Sequence, residues 1–149
     1  MKAYLGLGSN VGDRRATLRR AVAAMVEVTA VSAVYETEPV GGPEQGRYYN
    51  IVVELETEKD PWELLELCRE LERAAGRERV VRWGPRTLDV DVLLVGDVSV
   101  NDDDLTVPHP RMVQRNFVMR PLLDLDPGLK IGDYNPKDAV GEVKKVGPL

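Results

Sequence analysis

The order of apolar patterns along the chain constrains the fold more than any other feature of the sequence. Apolar residues recur at helical spacing in residues 13–27 and again in residues 60–76, so each segment would have one apolar face. Four other segments alternate or are rich in β-branched residues, as strands are: residues 2–7, 28–36, 49–57 and 88–95. The patterns together predict the order strand, helix, strand, strand, helix, strand.

This order is typical of an α+β, ferredoxin-like βαββαβ core with an antiparallel sheet. A further helical pattern around residues 116–125 predicts an added C-terminal helical segment that covers the sheet, giving α-β-α layers. The chain has 149 residues, which is the size of one domain, so we expect a single domain over residues 1–149.

The second helix has clear start and stop signals. Asp60 can cap it, Pro61 suits its first position, Glu63 completes a capping box, and Gly76 ends it. Cys68 lies on its apolar face, so we interpret this residue as part of the core and not as a nucleophile.

Composition excludes several classes of protein. The formal net charge is −5 and the sequence pI is near 5.0, which argues against a general nucleic-acid binder. No apolar stretch approaches the roughly 18 residues of a membrane span, and a single cysteine cannot form an internal disulfide. We therefore expect a cytoplasmic protein with no nucleic-acid or membrane partner.

The glycine-rich segment at residues 6–12 predicts a strand that enters a tight glycine loop. It lacks the final Gly-Lys-Ser/Thr of a phosphate-binding P-loop, and its glycine spacing is not that of the dinucleotide fingerprint. We therefore interpret it as a structural turn.

Asp89 and Asp91 are the strongest candidates for metal ligands. Residues two apart on a strand share a face, so both carboxylates would point the same way. Like charges this close are unfavourable unless a cation lies between them, and hard oxygen ligands suit Mg²⁺ together with substrate phosphates. A solvated face of the sheet is the alternative.

An arginine-rich segment precedes this pair. Residues 77–86 hold four arginines, at positions 77, 79, 82 and 86, against one glutamate, in a chain that is acidic as a whole. Guanidinium groups suit phosphate oxygens, so the segment followed by the acidic pair predicts polyphosphate chemistry.

By contrast, we interpret Asp102, Asp103 and Asp104 as a solvated turn. His109, the only histidine, is left with two open roles, binding a nucleotide or capping a loop.

The stretch from Arg82 to Asp91 (Arg-Trp-Gly-Pro-Arg-Thr-Leu-Asp-Val-Asp) strongly resembles the 6-hydroxymethyl-7,8-dihydropterin pyrophosphokinase family of folate biosynthesis. Weaker motifs elsewhere in the chain occur in the same order as in the family: Gly8-Ser9-Asn10, Tyr35-x-Thr37-x-Pro39, Tyr48-x-Asn50, Val107-Pro108-His109 and Arg115-x-Phe117.

The resemblance implies transfer of the β,γ-diphosphate of ATP, the co-substrate, to the pterin hydroxymethyl group, giving AMP and the pterin diphosphate. It implies two Mg²⁺ ions bound by Asp89 and Asp91, with these two small molecules as partners. We also expect a monomer. The implied catalytic residues are Arg77, Arg79, Arg86, Asp89 and Asp91. The implied pterin-binding residues are Thr37, Pro39, Val40, Tyr48, Asn50, Trp83 and Phe117. The implied ATP-binding residues are Glu72, Arg77, Arg79, Arg86, Val92, Thr106, His109 and Arg115.

Two other functions fit parts of the pattern. A ferredoxin-like RNA-binding module shares the strand order but would need exposed aromatic residues and a basic face. A metal-dependent phosphohydrolase could use the same carboxylates, but nothing in the sequence names a base that activates water. We therefore adopt the pyrophosphokinase hypothesis.

Overall fold

In a computed structural model, an antiparallel sheet with helices on both faces organises the chain. The structure describes residues 1–37, 47–76, 87–132, 134–139 and 143–149. The strands of the main sheet are β1 (Lys2–Ser9), β2 (Val28–Val31), β3 (Val34–Thr37), β4 (Tyr48–Glu56), β5 (Asp89–Val95) and β8 (Val143–Gly147). The helices are α1 (Arg14–Ala23), α2 (Pro61–Ala74) and α3 (Asn116–Leu125), and a small hairpin consists of β6 (Val100–Asn101) and β7 (Thr106–Val107).

The strand order of the main sheet is β5-β1-β4-β3-β8, and β2 also pairs with β4. Each of these pairs is antiparallel. Counting β2 and β3 as one strand, this is the ferredoxin-like arrangement, so the predicted α+β class and antiparallel sheet are confirmed.

Two apolar layers hold the helices to the sheet. Leu18 of α1 and Leu64 of α2 pack with Leu5 on one face. Met119 of α3 packs with Val52 on the other face. The predicted α-β-α layers are therefore confirmed, and Cys68 is buried in the first layer, as predicted.

Local capping determines where the helices begin. In α2 the Asp60 carboxylate accepts a hydrogen bond from the Glu63 N–H at 2.9 Å, and the Glu63 carboxylate accepts one from the Asp60 N–H at 3.1 Å. This is the predicted capping box. Asp13 caps α1 in a similar way through the Ala16 N–H, but α1 ends at Ala23, earlier than predicted.

The expected strand over residues 28–36 is interrupted at Ser32. The Ser32 hydroxyl accepts a hydrogen bond from the Val52 N–H at 2.9 Å, and it donates one to the Ala33 carbonyl at 2.8 Å. A side chain therefore takes a place in the ladder that a backbone carbonyl would fill, and the strand divides into β2 and β3.

The glycine segment was also predicted wrongly in part. β1 continues to Ser9, so Gly6 and Gly8 lie inside the strand and not in a loop. Only Gly12, with a φ of 66°, adopts the left-handed conformation of a turn. The C-terminal tail brings a further difference, because it adds the strand β8 to the edge formed by β3.

The pairing of β1 with β5 contains a bulge. Tyr4 is opposite Leu94 and Leu5 is opposite Val92, which leaves Leu93 as an extra residue. As a result Leu93 and Leu94, although consecutive, both pack on the α3 side of the sheet.

Two prolines and three glycines between Thr37 and Tyr48 predict a long loop there. Its end residues instead belong to β3 and β4, and residues 38–46 lie outside the described residues. In the described parts of the chain, none of the helices has the length and apolar character needed to cross a membrane. Asp102, Asp103 and Asp104 are exposed in the turn between β6 and β7, as predicted.

Candidate active site

Asp89 and Asp91 lie on the edge strand β5, with both side chains on the α3 side of the sheet. The intervening Val90 belongs to the core on the opposite side, as does Val92. On the neighbouring strand, Gly8 is opposite Asp89 and Gly6 is opposite Asp91. Since paired residues of antiparallel strands share a face, β1 has no side chain beside either carboxylate.

These carboxylates line a cleft of about 930 Å³. Eight of the residues predicted for the site line it together: Thr37, Tyr48, Asn50, Glu72, Asp89, Asp91, Arg115 and Phe117. Three do not line it, namely Val92, Thr106 and His109. The remaining six lie outside the described residues: Pro39, Val40, Arg77, Arg79, Trp83 and Arg86.

One end of the cleft is formed by β3, β4 and α3. Asn50 is buried, and its Nδ2 donates a hydrogen bond to Thr37 Oγ1 at 2.9 Å. Tyr48 and Phe117 are half-buried aromatic residues of the same cleft. Burial, together with the negative charge of Asp89, raises the pKa of Tyr48, so its hydroxyl stays protonated at neutral pH.

The other end lies against α2. Glu72 Oε2 accepts a hydrogen bond from the backbone N–H of Val90 at 3.1 Å. Cys68 also lines this end, but burial raises the pKa of its thiol, and the charges of Asp91 and Glu72 add to that effect. The thiol is therefore protonated, in agreement with its predicted role as a core residue.

His109 holds the turn after β7. Its backbone N–H donates to the Leu93 carbonyl at 3.0 Å, and its Nδ1 accepts a hydrogen bond from the Arg111 N–H at 3.2 Å. Burial lowers the pKa of His109, although the nearby charge of Asp91 acts in the opposite direction. Of the two roles left open, the structure shows the loop-capping one. The neutral ring carries its proton on Nε2, since Nδ1 is an acceptor.

The start of α3 places Arg115 and Phe117 in the cleft. The Arg115 guanidinium lies 5.5 Å from the centre of the Phe117 ring. The residue between them, Asn116, is bonded to the C-terminal tail: its Oδ1 accepts from the Tyr134 hydroxyl at 2.7 Å, and its Nδ2 donates to the carbonyls of Pro136 and Ala139 at 3.2 and 3.3 Å.

Sequence reasoning missed several polar or small residues that line the cleft: Gly6, Gly8, Arg111 and Gln114. A signal existed for the two glycines. Because they are two residues apart on a strand, they had to share a face, as do Asp89 and Asp91. No comparable signal singled out Arg111 or Gln114, which lie on irregular backbone and in a short 3₁₀ turn.

The arrangement suits a magnesium ion held jointly with a substrate. Asp89 and Asp91 share one face of an edge strand, and β1 leaves space beside them. Mg²⁺ usually takes one or two carboxylates from the protein and completes its octahedron with phosphate oxygens and water. Among the described residues, no group of three or more His, Cys, Asp or Glu side chains could form a closed protein site.

The chain resembles known proteins over most of its length. The model of the 7,8-dihydro-6-hydroxymethylpterin-pyrophosphokinase (HPPK) family matches residues 4–127. The chain belongs to this family. The resemblance inferred from residues 82–91 is therefore confirmed for most of the chain.

Named relatives of the HPPK family extend the match. The chain is 50% identical over 128 residues to the 2-amino-4-hydroxy-6-hydroxymethyldihydropteridine pyrophosphokinase of Bacillus subtilis, covering 83% of this chain and 77% of that protein. It is 41% identical to the protein of the same name from Methylorubrum extorquens, covering 98% of this chain and 96% of that protein. With the Pseudomonas aeruginosa protein of that name it shares 39% identity, over 89% of this chain and 85% of that protein.

Proposed function

We propose that this HPPK-family chain transfers the β,γ-diphosphate of ATP to the hydroxymethyl group of 6-hydroxymethyl-7,8-dihydropterin, giving AMP and the pterin diphosphate in folate biosynthesis. The proposal rests on one observation. The acidic pair Asp89 and Asp91 lines the same cleft as the polar residue Asn50 and the aromatic residues Tyr48 and Phe117. Family membership supports the same reaction.

In this proposal Asp89 and Asp91 hold two Mg²⁺ ions. When bound, the ions would neutralise phosphate charge and orient the transferred group towards the acceptor hydroxyl. The protein's part is geometric: β5 presents both carboxylates on one face, and the glycines opposite them leave space for phosphate oxygens.

The pterin would lie between Tyr48 and Phe117, because a flat heterocycle stacks well on aromatic rings. Asn50 would form a hydrogen bond with the polar edge of the pterin ring. Since the Asn50 amide nitrogen already donates to Thr37, its Oδ1 is the atom available to accept a hydrogen bond from a ring N–H. Pro39, Val40 and Trp83 complete the proposed pterin site through the family motif.

ATP would occupy the end of the cleft beside α2 and the start of α3. Arg115, with Arg77, Arg79 and Arg86, would contact the phosphates, and Glu72 would contact the rest of the nucleotide. The family resemblance also implies nucleotide contacts for Val92, Thr106 and His109, which do not line the cleft, so these contacts would require ATP to extend beyond it. Guanidinium groups stabilise negative charge that develops during phosphoryl transfer, so Arg86, three residues before Asp89, is assigned to the transition state.

The same proposal treats residues 1–149 as one pyrophosphokinase domain that acts as a monomer on small molecules. A cytoplasmic site of action is part of it, because the reaction consumes ATP.

The decisive experiment is incubation with ATP, Mg²⁺ and 6-hydroxymethyl-7,8-dihydropterin, followed by identification of the nucleotide product by anion-exchange chromatography. We expect AMP and the pterin diphosphate in equal amounts, and no turnover when Mg²⁺ is chelated. Formation of ADP, or of free pyrophosphate that does not depend on the pterin, would contradict the proposal.

A further inference from the structure

Gly8 lines the cleft between a proposed metal ligand and a proposed pterin-binding residue. It is paired with Asp89 on β5 and with Asn50 on β4, so the three residues form one row across the sheet. We propose that Gly8 is a specificity-determining position. Because Gly8 has no side chain, the Asn50 amide can keep the orientation in which it would form a hydrogen bond with the pterin. The inference deepens the proposed function, on which it rests.

The space above Gly8 is occupied by the Asn50 amide. A Cβ atom built on Gly8 would lie 2.7 Å from Asn50 Oδ1, a distance that real Cβ atoms essentially never show. The same Cβ would be 3.5 Å from Tyr48 Cδ1, an ordinary contact. The conflict is therefore with Asn50 alone.

Asn50 cannot yield without losing its own contacts. It is only 8% exposed, and its Nδ2 donates to Thr37 Oγ1 at 2.9 Å. A shift of Oδ1 away from Gly8 would rotate the amide and break or lengthen that hydrogen bond. It would also turn the Oδ1 acceptor away from the position that a pterin N–H would meet.

Gly6 provides a matched control in the same strand. It lines the same cleft and is opposite Asp91, but a Cβ there would lie 3.5 to 3.7 Å from the side chain of Leu93, within ordinary van der Waals range. Neither Gly6 nor Gly8 has a positive φ, so alanine is compatible with the backbone at both positions. The two substitutions differ mainly in the clash with Asn50.

The first experiment compares Gly8→Ala with Gly6→Ala by isothermal titration calorimetry. In the presence of Mg²⁺ and a non-hydrolysable ATP analogue, we expect Gly8→Ala to weaken binding of 6-hydroxymethyl-7,8-dihydropterin by about tenfold or more, because one hydrogen bond of the bound state is lost. Both substitutions add a methyl group beside a proposed metal ligand, so any loss of affinity for the ATP analogue should be similar in the two variants. The loss of pterin affinity should be confined to Gly8→Ala, because Gly6→Ala has no clash with Asn50 and removes no hydrogen bond. Equal pterin affinity of Gly8→Ala and wild type would overturn the proposal.

A double-mutant cycle with Asn50→Ala tests whether Gly8 acts through Asn50. With the amide removed, the clash is removed, so Gly8→Ala should cause less than about a twofold further loss of pterin affinity. A full additional loss in the Asn50→Ala background would overturn the proposal, since it would show that the new methyl group obstructs the ligand directly.

Folding gives the same cycle a second readout. If Gly8→Ala does not fold, the double variant should recover the circular dichroism spectrum and melting temperature of Asn50→Ala; a double variant that also fails to fold would contradict the clash. Failure of the proposed function is distinguishable, because it would appear as wild-type protein that neither binds nor converts the pterin.

Discussion

Glu72 on helix α2 accepts the backbone N–H of Val90 on strand β5 at 3.1 Å. Val90 is the residue between Asp89 and Asp91. Within the described part of the chain, β5 is an edge strand of the main sheet, with β1 on one side and no strand on the other. The hydrogen bond therefore holds in place the segment that carries both proposed metal ligands. It acts on the side of β5 that faces away from β1.

From this relationship we predict that Glu72→Ala lowers the free energy of unfolding by about 1–2 kcal/mol, because the partly buried Val90 N–H loses a charged acceptor. Glu72→Gln keeps an oxygen acceptor and should lose less. Urea unfolding followed by circular dichroism measures the difference. The control is Glu70→Ala, an exposed position on the same helix; if it costs as much as Glu72→Ala, the role given to the hydrogen bond is wrong.

Asp91→Asn is expected to separate activity from stability. Asp91 is exposed, so replacing it should leave the melting temperature in metal-free buffer unchanged or slightly higher, since repulsion with Asp89 is relieved. Turnover should fall by about 100-fold or more, because the proposed Mg²⁺ site loses one of its two anionic ligands and with it the stabilisation of charge on the transferring phosphates. Steady-state kinetics and thermal melts test both, with Asp104→Asn in the exposed β6–β7 turn as control. A variant that melts several degrees lower without metal and keeps its activity would refute the metal-binding assignment.

His109 should make the protein less stable below neutral pH. Burial lowers the pKa of His109 in the folded protein, whereas in the unfolded chain it is about 6.5. The folded state therefore binds fewer protons than the unfolded state between these two values, and stability is lost as the pH falls from about 6.5 through the folded pKa. Protonation of Nδ1 would also break its hydrogen bond with the Arg111 N–H.

The chain has a single histidine, so one imidazole signal in ¹H–¹³C NMR spectra reports this titration directly. His109→Asn removes the titrating group, and its melting temperature should depend less on pH between 7 and 5 than that of the wild type. A His109 pKa at or above about 6.5 in the folded protein would be inconsistent with the prediction.

Asn116→Ala is expected to raise the KM of both substrates severalfold. Asn116 lies between Arg115 and Phe117, and three hydrogen bonds join it to Tyr134, Pro136 and Ala139 in the tail. Their loss should loosen the start of α3, which positions one proposed ATP contact and one proposed pterin contact. Asn135→Ala, which removes hydrogen bonds only within the tail, is the control. Equal effects of the two variants on KM would show that Asn116 has no special role.

The parts of the fold that depend on nearby residues were predictable. The capping box at Asp60 and Glu63 involves two residues three apart, and the helix over Asn116–Leu125 was predicted at the bounds that the structure shows. The common face of Asp89 and Asp91 follows from the two-residue period of a strand.

Features that depend on distant residues were not predictable in the same way. The break at Ser32 needs the Val52 N–H, twenty residues away, and β8 forms because its backbone pairs with β3 from the far end of the chain. The predicted strand ended at Leu7 and left Gly8 in a loop, because glycine usually signals a turn, whereas here the missing side chains of Gly6 and Gly8 leave space beside the carboxylates. The cleft itself gathers residues from β1, β4, β5, α2 and α3, which no local pattern relates.

Because of the bulge at Leu93, the two halves of β5 differ in whether they tolerate the deletion of a residue. Removing Val90, the residue between Asp89 and Asp91, would shift the following residues by one position, so that Asp91 would enter the core beneath α2 and Val92 would enter the cleft. Removing Leu93 itself would restore regular pairing beyond Asp91 and leave both carboxylates where they are. Deletions in this strand are therefore compatible with the site only on the carboxyl-terminal side of Asp91.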